Sequence, residues 1–302
     1  MKIGVKLMYG FLRLVSALPL GFHYACASFI SWVLRDLLRY RRDVVMTNLA
    51  RSFPDKNYGD LKQIARRFYR HFGTIIAETV WFGSCTKEER FRKQRLFELA
   101  NPEVLAEAFR NSPSVMILDS HCGNWELLGG LVCYSSSPEI RGCYSRDDAI
   151  VVYKPLSSDF WNEIMRLNRC AGVPGRDYKG YISSRDILRF ALSSKERKQI
   201  YIVPADQYPY RNAIAPDPVE FMHQPTQTML GGASIARKRG MSVLYMTHLP
   251  VSKGHYTCNF TEICPDASKI TPHEIMVKFY SLLQQDIEKT PWNYLWTHKR
   301  WK

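Results

Sequence analysis

The sequence predicts an α/β protein: a central, mostly parallel or mixed sheet flanked by helices, preceded by one or more hydrophobic N-terminal helices. Two observations carry this. From residue 114 onward, apolar runs of strand length alternate with stretches of helical spacing, the pattern of a sheet covered on both faces. Before them, Leu7 to Leu34 is almost uninterrupted apolar sequence. Nothing in the 302 residues resembles a linker, and 46% hydrophobic with 13% aromatic residues furnishes a core and excludes general disorder. The predicted division is a membrane-associating helical segment, 1–40, and one α/β domain, 41–302.

The N-terminal run is broken only by Arg13, His23 and the Pro19-Leu20-Gly21 punctuation. A membrane-spanning helix needs about 20 apolar residues, so the run is long enough; Arg13 and the Pro/Gly break equally suit two short helices lying in one leaflet. A helix pair buried on the body is the third reading. Ala25-Cys26-Ala27 resembles a signal-peptide cleavage site, but hydrophobicity resumes at once in SFISWVL, which opposes cleavage. The basic flank from Arg35 to Arg42 keeps the following body on the cytoplasmic side and attracts anionic headgroups at roughly 1 kcal/mol per basic residue.

In the body, 36–52 and 59–82 have helical spacing, with SFPDKNYGD supplying the turn and helix start between them. A basic stretch, KEERFRKQR, follows. Strands are then expected at SVMILD (114–119), AIVVY (149–153), QIYIVP (199–204), SVLYMTH (242–248) and HYTCNF. Helices are expected at NWELLGGLVCY, SDFWNEIMRLNRC, SRDILRFALSS, QTMLGGASIARKR and HEIMVKFYSLLQQDIEK.

The net charge of +14 calls for an anionic partner. Candidate patches are Arg90, Arg92, Lys93 and Arg95; Arg237, Lys238 and Arg239; and Lys299 with Arg300. Basic and aromatic residues are not interleaved as in a nucleic-acid motif, so no nucleic acid is expected. Trp292, Trp296 and Trp301 beside the last patch are read as interfacial anchors or as core aromatics, with Trp296 assigned to the core. The eight cysteines (Cys26, Cys85, Cys122, Cys133, Cys143, Cys170, Cys258 and Cys264) form no CxxC pair and no zinc-ligand spacing. Reduced thiols and no metal are expected.

The stretch DSHCGNWELLGG (119–130) carries the chemistry. In an α/β sheet, functional groups collect at the carboxyl ends of strands, and His121 falls just past one. Gly123 lets backbone approach closely, Asn124 is a good N-cap, and Glu126 stands in the first helical turn where the dipole favours a carboxylate. A turn folding back at Gly123 brings Glu126 within reach of one imidazole nitrogen, leaving the other to take a proton from a hydroxyl. There is no GxSxG elbow, HExxH, P-loop or dinucleotide fingerprint.

HCGNWE, together with NLARSFPD (48–55), YKP and DFWNEIMRLNR (153–169), a strand ending in ADQ (205–207), FxxxPT (221–226) and PWNYLWTHKRWK (291–302), resembles the late, or secondary, acyltransferases of lipid A biosynthesis. These belong to the lysophospholipid acyltransferase superfamily, whose motif is a histidine, four residues and an acid. The resemblance runs along nearly the whole chain. It implies a glycerolipid acyltransferase-like fold that transfers a fatty acyl chain from acyl carrier protein to a hydroxyl of an anionic glycolipid, a lipid A precursor, at the cytoplasmic face of the bacterial inner membrane. The acyl-acyl carrier protein is a donor substrate, and no cofactor is implied. His121 matches the catalytic base and Glu126 its acidic partner. Lys154 stands where the family commonly has arginine, so bidentate contact is lost. Arg169, Asp206 and Gln207 match family positions and join Lys154 and Asn124 as substrate-binding residues. The motif reports the reaction better than the acceptor: a lysophospholipid or another glycolipid is the alternative.

Overall fold

The computed structural model describes residues 3–83, 85, 90, 93–130, 143–171, 179–209 and 215–301. Four helices come first: α1 (Ile3–Ser16), α2 (Leu20–Trp32) with a π turn (Val33–Leu37), α3 (Arg42–Ser52) and α4 (Tyr58–Phe82). There follow β1 (Phe97–Leu99), α5 (Pro102–Asn111), β2 (Val115–Asp119), a 3-10 turn (Trp125–Gly130), β3 (Ala149–Tyr153) and α6 (Asp159–Arg169). The chain continues through β4 (Tyr181–Ser183), α7 (Ile187–Ser193), β5 (Ile200–Pro204), the hairpin β6 (Val219–Phe221) and β7 (Gln224–Thr226), and α8 (Gly231–Arg239). It ends in β8 (Ser242–Ser252), β9 (His255–Cys264) and α9 (Pro272–Lys289).

Seven strands form one mixed sheet in the order β1-β9-β8-β2-β5-β3-β4, flanked by helices, as expected. All pairs are parallel except β8 with β9. Every residue of β2 is buried, which suits a central strand covered on both faces. Its alternate side chains feed two cores: Met116 and Leu118 pack with α3, α4, α8 and α9, whereas Val115 and Ile117 pack with α5 and the end of α4. Local signals place the helix starts. Asn57 accepts from the Asp60 amide at the head of α4, and Thr271 with Glu274 forms a capping box on α9.

Three expectations need correction. The helix expected from Asn124 is only a 3-10 turn through Gly130, where two consecutive glycines disfavour helix; the remainder of NWELLGGLVCY lies outside the described residues. The helix of QTMLGGASIARKR starts only at Gly231; residues 227–230 stand outside it, after the strand Gln224–Thr226 that pairs with Val219–Phe221. Arg300 is no surface cation: it is 1% exposed and donates to the Tyr280 hydroxyl, while Trp296 is fully buried. Arg239 likewise donates to the Tyr201 hydroxyl and to the carbonyls of Ala191 and Lys195. Arg92 and Cys133 lie outside the described residues.

The N-terminal helices are docked by one face only. Gly73 of α4 lies against the backbone of α2, where an added Cβ would meet the Ala27 carbonyl oxygen at 2.6 Å. Val5 and Tyr9 of α1 pack on Ile164 and Leu167 of α6, and the Tyr9 hydroxyl donates to the Leu167 carbonyl. The other face exposes Ile3, Leu7, Phe11, Leu14, Phe22, Phe29 and Trp32. Among the described residues no single helix is long and apolar enough to cross a membrane; α1 and the α2 rod meet that length and composition only together, bent by 111°.

Candidate active site

Strands β2 and β5 lie side by side in parallel with Asp119 opposite Pro204. His121 and Asp206 each follow two residues later, so this register alone brings them together across the sheet's carboxyl edge. The His121 Nδ1 stands 2.7 Å from Asp206 Oδ1, and its Nε2 stands 2.9 Å from Gln207 Nε2. With the Nδ1 proton donated to Asp206, Nε2 is the acceptor and receives the Gln207 amide N–H. Trp125 flanks the ring at 5.2 Å between centroids.

This replaces the expected hydrogen bond between His121 and Glu126. Glu126 is instead held by both arms of Arg169, at 2.8 and 3.0 Å, a bidentate pair that ties the turn after β2 to the end of α6. Asn124, expected with the substrate-binding residues, does not line the cleft. It is fully buried and donates to Glu78 of α4 at 2.9 Å, a carboxylate that also accepts from the hydroxyls of Tyr24 and Tyr256. Lys154, Arg169 and Gln207 do line the cleft together with His121 and Glu126.

Gly123 makes the turn possible. Its φ is +60°, and a Cβ there would stand 2.8 Å from that of His248. The Gly123 amide donates to Asn293 Oδ1 at 3.0 Å, and Asn293 Nδ2 donates to the His248 carbonyl, so the C-terminal stretch buttresses the histidine turn from beneath. Glu78 and Asn293 escaped sequence reading. A glutamate inside an otherwise apolar stretch of α4 is the signal for the first; the second had only its place in PWNYLWTHKRWK.

The electrostatics are those of a coupled pair. Burial alone would lower the His121 pKa, but the Asp206 carboxylate, helped by Asp119 and Glu126, raises it above the ordinary histidine value. Burial would raise Asp206, yet His121 holds it below the usual carboxylate range. His298 nearby is kept neutral by burial, at about 4, and its Nε2 accepts from the Tyr208 amide.

His121 opens on a cleft of about 700 Å³ across the carboxyl ends of β2, β5, β3 and β4. Leu128, Val152, Leu156, Ile202, Met229 and Leu295 give it apolar walls, while Lys154, Arg169 and Arg185 add positive charge. Such a site can accept a hydroxyl proton beside a hydrocarbon chain and an anionic group.

Fold and site together define an α/β protein with a histidine–carboxylate centre at the sheet's carboxyl edge, facing a cleft part apolar and part cationic. The chain belongs to the bacterial lipid A biosynthesis acyltransferase family, whose model matches residues 2–302. It is similar to the lipid A biosynthesis palmitoleoyltransferase of Escherichia coli (strain K12), with 22% identity over 278 residues, 90% of this chain and 82% of the relative.

Proposed function

We propose that the protein moves a fatty acyl chain from the thioester of acyl carrier protein to a hydroxyl of a lipid A precursor, at the cytoplasmic face of the inner membrane, with His121 as general base and Asp206 as its orienting partner. The observation that carries this reading is His121, which opens on the cleft with its Nδ1 2.7 Å from Asp206 Oδ1. The acceptor hydroxyl displaces the Gln207 amide and donates to Nε2. Its oxygen attacks the thioester carbonyl while Nε2 takes its proton, and Asp206 stabilises the imidazolium. The tetrahedral oxyanion is stabilised by positive charge at the cleft wall, with Lys154 assigned that role. Collapse expels the thiolate, which receives the proton from His121.

Glu126 is reassigned within this scheme. Held by Arg169, it fixes a cleft-lining guanidinium and adds negative potential near His121. The apolar stripe of α1 and α2 supports membrane association, and the net charge suits both an acidic carrier protein and a phosphorylated acceptor.

The test incubates purified wild type and His121→Ala with acyl carrier proteins of several chain lengths and an under-acylated lipid A precursor, reading products by mass spectrometry. Wild type is expected to add one acyl mass, and His121→Ala to fall by about 10²–10⁴. Wild type that leaves the precursor unchanged but acylates a lysophospholipid overturns the acceptor assignment.

A further inference from the structure

A second cavity, of about 710 Å³, lies away from His121, between α2, α4 and the β8–β9 hairpin. Arg67, Arg70, His71 and Thr74 all line it, at spacings that put them on one face of α4. Arg35 and Lys253 line it from the α2 rod and the hairpin turn, and among its described lining residues there is no carboxylate. Four cations thus converge on one groove. Arg35 is answered by Asp36, and Lys253 donates to the Tyr24 carbonyl, but Arg67 lies over the Trp292 ring with its centre 4.8 Å from the centroid and is exposed.

His71 forms the closed floor beneath these cations. It is 8% exposed, lines the groove and is hydrogen-bonded through Asn293. The groove is continuous with the apolar stripe, since Trp32 lines it at 48% exposure and Phe29, Leu37 and Leu38 stand exposed nearby on the same rod. A ligand with a phosphate at the groove and hydrocarbon along that stripe satisfies both halves.

We infer that this groove binds the phosphate of an anionic phospholipid of the bilayer itself, separately from the acceptor at the His121 cleft. Arg67 and Arg70 hold the phosphate oxygens, and the acyl chains lie against Trp32 and Phe29. The inference rests on the membrane-facing reading of α1 and α2 but not on acyl transfer. Asn293 joins its floor to the Gly123 turn, so an occupied groove also buttresses the active-site loop.

The experiment measures sedimentation of the full chain with vesicles of phosphatidylcholine alone or containing phosphatidylglycerol. Wild type is expected to prefer the anionic vesicles. Arg67→Glu/Arg70→Glu loses that preference by about tenfold or more, at roughly a factor of five per basic residue, while keeping its binding to phosphatidylcholine. Arg110→Glu/Lys269→Glu reverses two exposed cations outside the groove and leaves the preference within twofold. Equal loss in that control, or an unchanged preference in Arg67→Glu/Arg70→Glu, means diffuse attraction and overturns the site. Full competition by inorganic phosphate at constant ionic strength assigns the groove to a free phosphate and overturns the lipid. Wild type that ignores both vesicles removes the membrane reading as well; wild type that binds both equally removes only the headgroup site.

Discussion

A histidine that takes a proton from an alcohol must be neutral beforehand and well stabilised as a cation afterwards, and the Nδ1 partner governs both. Here that partner is Asp206, whose charge raises the His121 pKa above its ordinary 6.5. Activity therefore rises with pH through a value above 6.5, as His121 loses its proton. Asp206→Asn removes the raising charge but keeps the burial that lowers it, so this limb moves to lower pH while the maximal rate falls by about 10²–10⁴. A pH–rate profile of the two proteins checks both shifts; a limb that stays in place rules out Asp206 as the partner. Stability follows a different course. Asp206, depressed on folding, contributes above its unfolded value near 4 and is lost as acid protonates it, and His121, raised on folding, contributes below about 6.5 and is lost as it deprotonates at higher pH. The pair thus stabilises most between those limits, and Asp206→Asn should flatten the fall of the urea midpoint on the acid and alkaline sides of that window. His121, Asp206 and Gln207 were each legible in the sequence as residues. Their pairing was not, because an 85-residue separation becomes a 2.7 Å contact only once β5 is known to be the neighbour of β2.

At the scale of elements, the site is held by joints between pieces that sequence periodicity finds one at a time. Arg169 at the end of α6 grips Glu126 in the turn after β2, with side chains only 15% and 17% exposed. Removing one partner strands the other, so Arg169→Met and Glu126→Gln should each cost about 3 kcal/mol in a urea titration, whereas the double variant costs less than their sum. Additive losses would mean that the pair is not coupled. The second joint is Gly123, where any side chain meets a left-handed backbone and the His248 Cβ. Gly123→Ala is expected to destabilise by at least ~2 kcal/mol and to reduce activity further by displacing His121, read as a lower melting temperature and a lower rate at a temperature where the variant is still folded. The long, strongly periodic elements were legible: Ala149–Tyr153, Asp159–Arg169 and Pro272–Lys289 fall at or within two residues of their expected places. Phe97–Leu99, Tyr181–Ser183 and the Val219–Thr226 hairpin were not, since three residues give no alternation to read and are strands only because neighbours supply hydrogen bonds. The stretch at Trp125 is the opposite case, a helical pattern that takes a 3-10 turn from Trp125 to Gly130.

For the molecule as a whole, the open question in the sequence was whether the first apolar run spans, floats or packs, and its two faces answer differently. One face of α1 is core: Tyr9 is 6% exposed and bonded to Leu167. Its other face presents Ile3, Leu7, Phe11 and Leu14 at 77, 70, 60 and 75% exposure, spaced by four, four and three residues. Periodicity alone could not separate these faces, because both are apolar; the distinction arises only when α6 and α4 cover one of them. An exposed stripe of this extent is unfavourable in water but gains on transfer to lipid, whereas the docked face gains nothing there because it is already buried. Leu7→Glu/Phe11→Glu should therefore lower vesicle binding by at least about tenfold, since two large apolar side chains worth ~1.5–3 kcal/mol each are lost from the contact. The same variant should keep its melting temperature within about 2 °C, because those side chains have little packing to lose. Tyr9→Ala reverses the pattern: it opens a cavity against Ile164 and Leu167 and lowers the melting temperature, while vesicle binding per folded molecule is retained. If both variants lower the melting temperature alike, the stripe is packed in solution, and the membrane contact must be sought elsewhere on the protein.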